Sequence, residues 1–196
     1  ATAVIRLAVD PGDNVAAARL LLGPRYRLSE RDLAAFADEA DRISRDHRSR
    51  RHLAWNEDPG VRLIDTLVSP AADATDEAKA TALRFVDDVR RWIGLSHDLT
   101  VAEFLLAAWD DLGLGLALAS SPDDLQSEAA SVLGALLDLA SGFVDVDGAG
   151  DLRSFLKLLD LSMDIGEPLD VEPPDLVDDA VRLLTIFSAK GLEFDH

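Results

Sequence analysis

Apolar residues return every three or four positions through almost the whole chain, and caps and breakers punctuate the runs. That pattern calls for helices, because half-buried strands alternate with period two. Asp13-Asn14 can cap a run carrying Val15, Ala18, Leu21 and Leu22 on one face, and Gly23-Pro24 stops it. Ser29-Glu30-Arg31-Asp32 starts a helix expected to bury Leu33, Phe36, Ala37, Ala40 and Ile43. Residues 46–58 read as a polar loop or frayed helix end, and residues 61–67 as a short amphipathic helix. The longest periodic run, from Asp76 to Ile93, turns Ala82, Leu83, Val86, Val89, Trp92 and Ile93 inward and is expected to stop at Gly94. Thr100-Val101-Ala102-Glu103 is a capping box for a helix that groups Phe104, Leu105, Ala108 and Trp109. Gly113 and Gly115 break the next apolar run into short turns. A further helix opens at Ser121-Pro122 and carries Leu125, Val132, Leu133, Leu136, Leu137 and Leu139. Another carries Leu152, Phe155, Leu156 and Leu159. Val181–Phe187 is the one convincing strand, and it follows an acidic, proline-containing connector.

Composition narrows the functional classes. The 196 residues are 48% hydrophobic, enough for a core and too many for a disordered chain. With no cysteine there is neither a disulfide nor a cysteine-based zinc site. No signal peptide is visible, and the longest apolar run, residues 112–119, is far short of a membrane span. The expected location is therefore cytoplasmic, with no membrane partner. The net charge of −18 opposes nucleic-acid binding by the whole surface. The charge is uneven, however: residues 1–52 hold ten arginines against eight acids, whereas the rest is strongly acidic. A nucleic-acid contact belongs in that first block, at residues 19–52.

The C-terminal stretch carries the strongest motif. The apolar run Leu183 to Phe187 leads into Ser188-Ala189-Lys190-Gly191, a small loop with one cation suited to phosphate. Such a strand and loop make half of a site, so the chain is expected to be part of a larger protein. The segment Thr185-Ile186-Phe187-Ser188-Ala189-Lys190-Gly191-Leu192-Glu193-Phe194 resembles a motif of the UvrD/Rep-like superfamily 1 DNA helicases, close to T-x-H-x-A-K-G-L-E-F/W. Ala189 to Phe194 match without a gap, and Phe187 stands where the family has histidine.

The resemblance implies a second RecA-like motor domain beginning near residue 180. Residues 1–179 would then be the helical 2B subdomain inserted upstream of the motif. In the family the threonine lies by the DNA and the lysine and glutamate by the nucleotide. Thr185 would thus face DNA, and Lys190 and Glu193 would face ATP. A second match sits near the start: Asp10-Pro11, then Arg19-Leu20-Leu21-Leu22, then Gly23-Pro24-Arg25-Tyr26-Arg27-Leu28-Ser29. Arg27-Leu28-Ser29 stands where many members have a Gly-Ile-Gly turn that approaches duplex phosphates. Arg25, Arg27 and Arg31 would supply side-chain contacts instead. The wording around residues 20–33 is similar to actinobacterial helicase–nuclease machines.

The fold expected is therefore all-α, an irregular multi-helix domain with one C-terminal strand belonging to a motor domain. Its partners would be duplex or junction DNA and the motor domains of the same parent, in the nucleoid. No G-x-x-x-x-G-K-[ST] phosphate loop occurs, so no cofactor is expected in this chain. ATP and Mg would belong to the parent.

Other constellations read as structure. The arginines of residues 42–51 either grip phosphates or pair with Asp38, Asp41 and Asp46. His47 and His52 have no partner at metal spacing, and Asp145-Val146-Asp147-Gly148 lacks the ligand series of a calcium loop. Trp92 and Trp109 sit on apolar faces and read as core, whereas Trp55 falls in the polar loop. The rival function is a stand-alone acidic helical module for protein–protein contact.

Overall fold

The computed structural model describes residues 2–54, 57, 60–68, 73–119, 123–143 and 150–165. The regular elements among them are all α-helices: α1 (Thr2–Val9), α2 (Asn14–Leu21), α3 (Glu30–Arg51), α4 (Leu63–Leu67), α5 (Asp76–Asp98), α6 (Val101–Leu112), α7 (Leu114–Ala119), α8 (Asp123–Gly142) and α9 (Leu152–Ile165). The multi-helix, all-α body is thus as expected. The expected strand at 181–187, its connector, the boundary near residue 180 and Trp55 lie outside the described residues.

The short helix α1 is the hub. It is apolar on nearly every side, a composition that belongs inside a fold. Val4, Ile5, Leu7 and Ala8 are buried. Helices α2, α5 and α9 all pack against it. Helix α5 passes the core on to α6, which carries α7 and α8, while α3 and α4 pack on each other. Among the described residues Trp92, Phe36, Phe85, Phe104 and Phe155 are the largest fully buried side chains. Among the described residues no helix is long and apolar enough to cross a membrane.

The caps explain where most helices begin. Asp13, Ser29 and Thr75 each accept a hydrogen bond from a backbone N–H in the first turn of α2, α3 and α5. Thr100 and Glu103 form the reciprocal box at α6, and Asp151 accepts from the Ser154 N–H at α9. Gly113 closes α6 with φ of 68°, a left-handed conformation in which a β-carbon is strained.

Several elements differ from their sequence reading. Helix α3 continues to Arg51, into the stretch expected to be a loop or frayed helix end, and its 46–51 part is regular helix. An Asp46–Arg50 pair one turn apart supports that extension, and basic residues in its last turn complement the helix dipole. Of its expected core face only Phe36 is fully buried, and Ala37 is exposed. Helix α5 passes through Gly94 and stops at Asp98, just before the Thr100 capping box. Phe85 rather than Leu83 points inward there; Leu83 is 51% exposed. In α2 the buried face is Ala16, Ala17 and Leu21, while Val15 is 65% exposed. Two small residues let α2 approach the hub closely. In α8, Leu136 and Ala140 are buried, whereas Val132 is exposed.

Candidate nucleic-acid interface

The turn between α2 and α3 alternates its side chains. Tyr26 and Leu28 are buried, and Arg25 and Arg27 are exposed. Backbone bonds from Arg27 N–H to Gly23 O (2.8 Å) and from Leu28 N–H to Leu21 O (2.8 Å) fix the alternation. The Tyr26 ring meets Phe85 edge-on at 5.0 Å. Its hydroxyl donates to Asp88 Oδ2 at 2.7 Å. Burial, and then that bond to a carboxylate, push the phenol well above the ordinary tyrosine range. Arg91 bridges Asp88 (2.9 Å) and Asp111 (2.7 Å), and Asp111 accepts from the Trp92 indole N–H at 2.9 Å. This chain of bonds anchors the turn to α5 and α6. Neither periodicity nor charge pattern reveals it, because its members lie on three elements.

Arg27 has φ of 52°, the left-handed region that glycine adopts freely and other residues seldom do. Its Nε–H donates to Pro24 O at 3.0 Å, which braces the side chain across the turn. The remaining guanidinium donors are free to meet an acceptor.

Arg31 lies in the first turn of α3 and is exposed. Beside it, Asp32 accepts from Ser29 Oγ (2.6 Å) and from the Thr75 N–H (2.9 Å). One carboxylate thus ties the start of α3 to the start of α5. The Ser29 bond first, and then the Thr75 bond, hold Asp32 below the usual carboxylate range. The three arginines singled out from the sequence are therefore exposed in the turn before α3 and in its first turn, next to residues that these bonds hold.

The distal arginines of α3 divide their allegiance. Arg42 is gripped by both oxygens of Glu39 (2.6 and 2.7 Å), and Arg50 pairs with Asp46 at 3.0 Å. Arg45 Nε donates to Asp41 O, and Arg48 Nη2 to Glu57 O. The pairing expected of these arginines with Asp46 occurs. Glu39 takes the role expected of Asp38, and Asp41 contributes its carbonyl rather than its carboxylate. Among the described residues no group of three histidines or acids could hold a metal ion. Thr185, Lys190 and Glu193 lie outside the described residues.

A second surface feature lies elsewhere. Leu106, Trp109, Asp110, Leu114, Gly115, Ala130 and Leu133 line an open groove of about 360 Å³ between α6, α7 and α8. Leu116, 79% exposed, stands on the same short helix α7. The Trp109 indole nitrogen is buried without a hydrogen-bond partner.

Comparison of the chain with protein-family models, curated proteins and solved structures finds no match.

Proposed function

We propose that this chain is the accessory helical subdomain of an ATP-driven DNA helicase of the UvrD/Rep type, holding duplex DNA against the motor. The observation that carries the reading is the backbone at Arg27. It keeps a glycine-favouring conformation at the place where the resembling family has a glycine of its phosphate-contacting turn. In this reading the turn offers guanidinium groups instead of bare amides. In this reading ATP and Mg are held by the parent's motor domains, with Lys190 and Glu193 on the nucleotide side and Thr185 on the DNA side. The protein acts in the cytoplasm, at the nucleoid.

The test is binding of a labelled forked duplex by the whole chain at low salt. The unaltered chain should bind and then weaken steeply with salt, to about micromolar or worse at physiological ionic strength. The triple variant Arg25→Ala, Arg27→Ala, Arg31→Ala should lose most of that affinity with its helicity intact. Undiminished binding by the folded triple variant removes this turn as the contact.

The groove beside Trp109 favours a second reading, an acidic helical module for protein–protein contact. That reading requires the unaltered chain to bind no DNA even at low salt.

A further inference from the structure

Helix α3 is longer than the fold requires. None of its residues from 37 to 51 is buried, so the distal half presents side chains without supporting the core. At 3.6 residues per turn, Arg31, Asp38, Arg42, Arg45 and Ser49 fall on one stripe. All five are exposed. The buried side chains, Asp32 and Phe36, point away from it. The stripe therefore faces solvent along its whole length. Arg50 and Arg51 lie off it by roughly 100° or more.

The order of charge along the stripe is informative. Arg31 stands at one end, Asp38 in the middle, and Arg42 and Arg45 at the other end, with Glu39 clasping Arg42. At 1.5 Å per residue, Arg31 to Arg42 spans about 16 Å and Arg31 to Arg45 about 21 Å. A polyanion following the helix along a single strand would pass directly over Asp38 and be repelled. A ligand with two rows of phosphates separated by a gap avoids that clash. A duplex groove has this form, the major groove being about 12 Å wide between its phosphate walls.

Building on the DNA reading above, we propose that α3 lies across a groove of duplex DNA. Arg25, Arg27 and Arg31 contact the phosphates of one strand. Arg42 and Arg45 contact those of the other, and Asp38 sits over the open groove. The ligand class is double-stranded nucleic acid gripped through both backbones. Glu39 accepts from Nε and Nη2 of Arg42 and leaves the other N–H groups of the guanidinium for phosphate. The site reads shape and charge, because no base contact is involved.

The experiment uses the whole chain and measures the salt dependence of binding to a duplex and to a single strand of equal length. Four proteins are compared: unaltered, Arg42→Gln with Arg45→Gln, Arg50→Gln with Arg51→Gln, and the Arg25→Ala, Arg27→Ala, Arg31→Ala variant. Both double variants remove the same charge from exposed positions of one helix, and circular dichroism verifies that each keeps its helicity. The expected result is a duplex salt slope shallower by about two for the Arg42/Arg45 pair, close to one unit per lost phosphate contact. Its single-strand slope, and both slopes of the Arg50/Arg51 pair, should match the unaltered chain. Equal losses from the two pairs would show net charge at work and overturn the stripe. Equal losses on duplex and single strand would overturn the two-strand grip. If the Arg25/Arg27/Arg31 variant alone weakens duplex binding, the DNA reading stands and this inference falls. If the unaltered chain binds no DNA at all, both fall.

Discussion

Two side chains, Arg27 and Asp32, show how the turn into α3 combines strain with support. Arg27 holds a left-handed backbone, which disfavours a residue with a β-carbon by roughly 1–2 kcal/mol. The buried neighbours on either side, Tyr26 and Leu28, over-determine that conformation and keep it in place. Asp32 supplies the complementary anchor, one carboxylate accepting from Ser29 Oγ and the Thr75 N–H. Its folded-state pKa is depressed, so its contribution is present above the unfolded value of about 3.9 and is lost as pH falls through the folded value. Asp32→Ala should lower stability at neutral pH by about 2 kcal/mol, from loss of hydrogen bonds to a charged acceptor. The gap between variant and unaltered chain should close as pH falls below about 4. Urea unfolding at neutral and acidic pH measures both. A gap that stays constant with pH would mean that Asp32 acts by packing and not through its charge.

At the scale of elements, two glycines make opposite predictions. Gly94 sits inside α5, one turn before its end, and a β-carbon there would meet nothing within 4 Å. Gly94→Ala should therefore stabilise the protein by about 0.5–1 kcal/mol. Gly113 also faces open space, yet its φ of 68° puts any other residue under strain. Gly113→Ala should destabilise by about 1 kcal/mol or more. Thermal unfolding of the two variants side by side checks the signs. The same pair shows what could be read from the residues alone. Thr100 to Glu103 was legible because a capping box is a local motif, and Phe104, Leu105, Ala108 and Trp109 do form its buried face. Gly94 misled because a glycine has the same letter in a helix interior and at a helix end. Only the packing of the last turn of α5 distinguishes them. The end of α3 stayed open between loop and helix for a related reason. Its last two turns, residues 44–51, are polar on all sides, so no apolar stripe marks them, and i,i+4 pairing with dipole complementarity keeps them helical. At the candidate site, the exposed arginines were legible as a local excess of charge. The Tyr26–Asp88–Arg91–Asp111–Trp92 network was not, because Tyr26 and Asp88 are separated by 62 positions.

For the molecule as a whole, the consequence of a central α1 is that late residues complete an early core. Arg6 of α1 pairs with Asp160 of α9, and the Arg153 guanidinium donates to Val9 O at 3.2 Å. Phe155 is fully buried and meets Phe143, at the end of α8, edge-on at 5.3 Å. Helix α9 is thus a wall of the compartment that α2 and α5 also enclose. Contacts of such long sequence separation form only after the chain has closed on itself, so α9 should gain protection together with the hub. Phe155→Ala removes a buried ring and should lower stability by about 3–5 kcal/mol. The informative readout is where that loss appears. Hydrogen exchange should weaken in the α1 and α5 amides as much as in α9, because opening α9 exposes the hub on which the other helices rest. Loss confined to α9 would instead make it an independent flap, with α1, α2 and α5 forming a core that stands without it.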